Sequence, residues 1–362
     1  MVRDGLRVEI DLNKVRENTA WLAKALGNRR ATVTGVTKGV GGNPAVARAM
    51  LEGGATQLAD SRLSNISRMR MAGISCPMIM IRSPLAHQIS GVIKYCEVSY
   101  NSDLSTIKKL SKAAIKLRHQ HGVVLIIEMG DGRDGILPIH VPHMISEIKN
   151  LPGISLVGLA TNAGCLNGAA PSIASMLQFT DLVVASEKAC GRAFNFNSTG
   201  GSSALSWALS SSSMGRVENL RLGESIFLGI DPITHDSIQG LHQDAVALFA
   251  EIIESTPTDI TLQSSKQLSG ECTRLVLAIG TQDTDISGLQ SPHGLHIIGA
   301  TSDHMIVHSS IRDCRMHSDI KFSLNYSALA RASNSHDVKT FVHDNASSTE
   351  LGVISKIENS LA

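Results

Sequence analysis

"TVTGVTK", residues 32–38, is a short apolar, β-prone run that ends on a lysine and is followed at once by the glycine cluster "GVGGN" (39–43). A strand here delivers Lys38 at its carboxyl end, where the backbone offers little bulk to shield the amine. Seven more runs of this kind follow: "TQLAD" (56–60), "PMIMIRS" (77–83), "CEVSYN" (96–101), "VVLIIEMG" (123–130), "SLVGLATN" (155–162), "AFNFNS" (193–198) and "VENLRLG" (217–223). Amphipathic stretches such as "DLSTIKKLSKAAIKL" (103–117) lie between them, and strands alternating with helices favour a parallel sheet covered by helices. Eight such runs match the count of a (β/α)8 TIM barrel, with an open doubly wound sheet as the alternative.

After about residue 243 the character changes. "AVALFAEIIES", "RLVLAIG", "LHIIGATSDHMIVHSS" and "DIKFSLNY" are strand-like without long amphipathic helices between them. The expected architecture is therefore α/β: a (β/α)8 barrel in residues 1–242 and a mainly-β domain in residues 243–362. The serine-rich "SALSWALSSSSMG" (203–215) stays inside the barrel, because strand-like sequence resumes directly after it.

With 33 Lys+Arg against 32 Asp+Glu, the 362 residues carry a formal charge of +1, which gives no electrostatic reason to expect nucleic acid or an anionic membrane as partner. A small-molecule substrate fits better. The six cysteines are scattered without a C-x-x-C pair, which speaks against a disulfide framework or zinc knuckle. Charges run throughout the amino terminus, and no stretch has the length of a membrane span. On these features a cytoplasmic protein is expected.

Four clusters carry chemistry. At a barrel-strand end, where such folds place their active sites, a partly desolvated lysine such as Lys38 can hold an aldehyde cofactor as a Schiff base; in an exposed loop it is only a solvated charge. "NSTGGSSALSW" (197–207) offers amides and hydroxyls that can cradle a phosphate. "NLRLGESIFLG" (219–229) puts Arg221 at a strand end, with a surface ion pair to Glu224 as the plainer alternative. "EMGDGRDGI" (128–136) puts Arg133 on a glycine-rich loop, placed to grip a carboxylate or to serve as an ordinary charged turn.

Taken in order, these residues resemble the fold-type III pyridoxal-phosphate enzymes, most closely the alanine racemase-like group that includes ornithine racemases. The resemblance runs from "IDLNKVRENT" through "TGVTKG", "EMGDGRDGI" and "RLGESIFLG" to "LAIGTQDTDISGL", "IIGATSDHMIVH" and "SLNYSALA". It implies a homodimer in which the partner's β-domain completes the site. It also implies that Lys38 binds pyridoxal 5'-phosphate and acts as acid/base on one face. Ser202, Ser203, the amides of Gly223 and Glu224, and Tyr326 would hold the phosphate; Arg133 would meet the substrate carboxylate, and Arg221 the pyridine nitrogen. A permanently charged guanidinium hardly gives up its proton, which favours racemisation over transamination and weighs against a decarboxylase, with a D-amino-acid lyase of the same fold type as an alternative.

The pattern departs from alanine racemases at three points, Thr281, Asn162 and Gly42. Thr281 stands where they carry the tyrosine of the opposite face and is too weak an acid to act unaided, so the candidates for the second acid/base beside it are Asp283, Asp285, Asp303 and His304. Asp283 and Asp285 form an acidic pair suited to a cationic side chain, favouring ornithine, then lysine, over alanine. Asn162 replaces a ring-stacking histidine, and Gly42 a phosphate-contacting tyrosine. "HVPH" (140–143) and the pair His304 and His308 lack a third ligand, so no metal is expected. A cofactor carrier without catalysis would lack residues 243–362.

Overall fold

The computed structural model describes residues 5–164, 166–259, 271–311 and 314–344. By its contacts the chain divides into two units: Val15–Lys38 with Gly42–Gln243, and a second joining the residues before Val15, Gly39–Gly41 and the chain from Asp244 onward. Strand β1 (Leu6–Asp11) belongs to the second unit.

In the first unit, β2 (Thr32–Val36), β3 (Gln57–Asp60), β4 (Met78–Met80), β5 (Val98–Asn101), β6 (His121–Ile127), β7 (Ile154–Thr161), β8 (Ser198–Thr199) and β9 (Asn219–Leu222) form a closed parallel barrel. Closure comes from β2, which pairs with β3 through Thr34 and Gln57 and with β9 through Thr34 and Arg221. The open sheet is thereby excluded. A parallel sheet is buried on both faces, so its strands are apolar without alternation; β6, "HGVVLII", is buried at every position. Val36, Ala59, Ile79, Val98, Tyr100, Val124, Ile126 and Ala160 pack together in its core, as an eight-stranded interior just wide enough for side chains requires.

One expected strand shrinks. Of "AFNFNS" only Ser198 is in β8; Phe194 is buried and Phe196 packs on the barrel core, so its aromatic pattern records the packing of a loop. The serine-rich stretch forms the turn Ser202–Ala204 and the helix Leu205–Ser210 between β8 and β9.

The second unit contains β10 (Val246–Asp259), β11 (Glu271–Leu277), β12 (Leu289–Gln290), β13 (Leu295–Ala300), β14 (Met305–Ser309), β15 (Asp319–Leu324) and β16 (Lys339–His343). Six of them run in the order β12-β15-β10-β11-β14-β13. The one-sided burial of such a sheet shows in β15, where Ile320, Phe322 and Leu324 are buried and their neighbours are not. β1, grouped with the barrel in the sequence reading, pairs instead with β10 and β16. Val8 and Ile10 bury one face of it, and Arg7 is held by Glu9 and Asp319, each at 2.6 Å. Among the described residues no helix is long and apolar enough to cross a membrane.

Candidate active site

A parallel barrel gathers the carboxyl ends of its strands on one rim, and the loops there carry the chemistry. Lys38 follows β2 by two residues, half-buried, at the start of the turn Lys38–Val40. The strands paired with β2 are β3 and β9. Beyond β9 the chain steps through Gly223, where a Cβ would press on the Val36 carbonyl oxygen at 2.9 Å. Glu224 then opens the short helix Glu224–Leu228. Burial pushes the Glu224 carboxyl up to about 7, with the Lys38 charge opposing and the Asp231 charge adding.

Arg221, on β9, is only 7% exposed. Its Nη1 donates to Ser198 Oγ at 2.9 Å, and its Nη2 to the Thr161 carbonyl at 3.0 Å and Asn162 Oδ1 at 2.9 Å. The guanidinium also lies over the Tyr100 ring, 5.1 Å from its centre. All of these partners are neutral, and the surface pair with Glu224 is not made. A buried cation among neutral partners is costly unless a ligand brings it an acceptor.

Asn162 extends the line of contacts. Its Nδ2 donates to Asp134 Oδ1 at 3.0 Å, and the same oxygen receives Arg133 Nε at 2.9 Å. Two arginines are thus joined through an amide and a carboxylate. Arg133, expected to meet a ligand carboxylate, engages Asp134 and, at 3.9 Å, Asp131.

Ser202 Oγ accepts from the Ser225 N–H and the Ser225 hydroxyl, both at 3.0 Å, which stitches the glycine-serine turn to the turn at Gly223 and Glu224. The Ser203 hydroxyl donates to the Ala163 carbonyl. Just before this turn Thr199 Oγ1 is buried without a hydrogen-bond partner, as is Tyr100 Oη beside Arg221. Buried polar atoms are normally satisfied. An amine, a buried guanidinium and unsatisfied hydroxyls near a serine-lined turn fit a planar, anionic cofactor.

In the second unit, Tyr326 opens the helix Tyr326–Ala332, capped by Asn325, and its ring lies 2.8 Å from where a Cβ on Gly39 would stand. The two segments searched for a second acid lie side by side: the Thr281 N–H donates to the Thr301 carbonyl at 2.9 Å, and Gln282 N–H to Ser302 at 3.2 Å. Only glycine fits at position 280, against the Ser302 carbonyl. Thr281, Asp283, Asp303 and His304 therefore share one pair of turns. Asp283 turns inward and accepts the Gly280 N–H at 2.8 Å; burial lifts its carboxyl and that hydrogen bond opposes the lift. Thr281, Asp303 and His304 are exposed. The Ser287 hydroxyl, at 2.7 Å, and then that of Ser327 lower the Asp285 carboxyl. His308 is buried in β14 opposite His296, while His304 is exposed before that strand.

Asp60, Tyr100, Asp134 and Thr199 went unread in the sequence. Asp60 and Thr199 are the last residues of β3 and β8, and a polar residue ending a barrel strand was the available signal.

Comparison with known proteins gives the chain's relatives. An ornithine racemase of Acetoanaerobium sticklandii is 28% identical over 348 residues, spanning 92% of this chain and 98% of its own. A lysine racemase of Thermotoga maritima is 27% identical over 343 residues, spanning 91% and 96%. The solved structure of an alanine racemase of Clostridium difficile 630 superposes with a TM-score of 0.74 at 17% identity, covering 96% of this chain and 98% of that one, a likeness of fold. The family model "Alanine racemase, N-terminal domain" matches residues 10–231, a span that holds Lys38, Arg133, Ser203 and Arg221, and the chain belongs to that family.

Proposed function

We propose that the chain is a pyridoxal 5'-phosphate-dependent racemase of a basic amino acid, ornithine before lysine. It acts as a cytoplasmic homodimer in which the part from Asp244 onward completes the partner's site. The observation that carries the reading is Arg221, a buried cation with neutral partners on the strand beside that of Lys38. Likeness to an ornithine racemase and a lysine racemase over nine-tenths of the chain supports the reaction and the substrate class.

When bound, the cofactor supplies an electron-accepting ring that makes the substrate's α-C–H acidic. Lys38 holds it through the amine and moves a proton on one face of the α-carbon. Arg221 donates to the ring nitrogen yet keeps its own proton. So held, the group would be a moderate electron sink, which favours racemisation over transamination. Ser202, Ser203, Tyr326 and the amides of Gly223 and Glu224 would hold the phosphate, Asn162 would contact the cofactor, and Arg133 would orient the substrate carboxylate. A threonine hydroxyl alone is too weak an acid for the opposite face, which leaves Asp283, Asp303 and His304 to carry that proton. Asp283 and Asp285 are the groups suited to a cationic side chain.

Incubated with L-ornithine in deuterated water, the loaded protein is expected to yield D-ornithine bearing deuterium at the α-carbon, read by chiral chromatography and mass spectrometry. The absence of both inversion and exchange across a panel of basic and small neutral amino acids would end this reading.

A further inference from the structure

The residue before Lys38 is tied to an acid with no assigned role. Asp60, which closes β3, is 0% exposed. Its carboxyl accepts the Thr37 hydroxyl at 2.8 Å, the Arg62 N–H at 2.8 Å, and Asn65 Nδ2 at 3.2 Å on each oxygen. Three of these four contacts come from N–H groups, which only donate, so the surroundings suit a carboxylate. Burial opposes that ionisation and raises the group, while the Arg62, Thr37 and Asn65 hydrogen bonds and the Lys38 charge favour it.

The arrangement is closely fitted. Thr37 is bound twice, since its N–H also donates to the Ala59 carbonyl at 3.0 Å. Asn65 packs against Gly42, whose φ is +61 to +65° in company with Gly41 and where a Cβ would meet Asn65 Cβ at 2.5 Å. The other charged or titratable groups here are Lys38 beyond β2, Cys96 before β5, and Glu224 with Asp231 beyond β9. Burial holds the Cys96 thiol up at about 12, so it stays neutral.

We propose that Asp60 is a positioning residue for Lys38: through Thr37 it fixes the turn that carries the amine, and its buried charge biases that amine toward the ammonium form. The inference deepens the proposed function and rests on it for its meaning, but its test is independent of catalysis.

The full chain, freed of any bound aldehyde with hydroxylamine, is treated with trinitrobenzenesulfonate from neutral to alkaline pH, and modification at Lys38 is followed by peptide mass spectrometry. Asp60→Asn is expected to move the midpoint of that reaction down by roughly one pH unit, a tenfold change in the amine's protonation equilibrium. The change keeps the side chain's size: the new amide can donate to the Thr37 hydroxyl, which turns to the Ala59 carbonyl already 3.4 Å away, provided that Asn65, whose Nδ2 now donates to both Asp60 oxygens, turns its own carbonyl oxygen toward that amide. If that variant does not fold, Asp60→Ser, smaller and with room for a water, is read in the same way. Thr37→Val removes the tie but keeps the charge, and should leave the midpoint in place. An unmoved midpoint on loss of the Asp60 charge, or an equal shift in Thr37→Val, overturns the proposal. A protein that racemises nothing yet shows the shift would sink the proposed function alone.

Discussion

A carboxyl buried near a lysine couples stability to pH, and Glu224 is such a group. Its ordinary value of 4.5 rises to about 7 in the fold, with burial as the main cause. Between those values the folded chain holds a proton that the unfolded chain has lost, so stability falls as pH rises and the loss is complete above the window. The shift corresponds to about 3 kcal/mol, or roughly 2 kcal/mol after allowance for partial exposure. His121 acts in the opposite direction: burial lowers it from 6.5 to about 4, so its contribution is lost as pH falls through that range. Only a variant separates the two. Glu224→Gln should gain roughly 2 kcal/mol over the native chain between pH values below and above the Glu224 window, measured by urea denaturation at each; parallel curves would place the pH dependence elsewhere. Lys38, Arg221 and Ser202 were legible because glycine-rich motifs surround them. Asp60 and Asp134 were not, because an acid at a strand end or in a turn looks like any solvated acid until its partners are known.

Strand β1 shows what pairing can hide. Its sequence "LRVEID" was read for its charges, yet Arg7 is 2% exposed between Glu9 and Asp319, with Phe249 under the guanidinium at 4.4 Å from the ring centre. Removing one side of a buried pair leaves charge uncompensated. Arg7→Ala is therefore expected to cost on the order of 3 kcal/mol in urea denaturation, and Arg7→Met, which keeps apolar contact with Phe249, distinctly less. Equal losses would mean that the ion pair, which both variants remove, matters more than the packing that Met keeps. The opposite error occurred at "AFNFNS", whose aromatic residues pack on the barrel from a loop. Both cases follow from one fact: a short pattern reports burial, and burial does not name the partner.

For the whole molecule, the proposed shared site makes activity depend on association. Light scattering should give twice the chain mass, and activity per chain should fall on dilution as the dimer separates; full activity in a demonstrated monomer would refute the shared site. The sequence by itself determined an eight-stranded parallel sheet covered by helices, since a sheet buried on both faces demands apolar runs at regular intervals, each ended by a polar loop; that the sheet closes into a barrel was decided by the pairing of β2 with β9. It also placed Lys38 just past the end of a strand, where β2 and the turn Lys38–Val40 put it. Only the tertiary structure decided that β1 leaves the barrel for the second sheet, that Asp134 and Asn162 join two arginines, and that Asp60 takes hold of Thr37. Those contacts join residues 312, 28 and 23 positions apart. No local periodicity encodes such distances, because a side chain's partner is set by how whole strands register against one another.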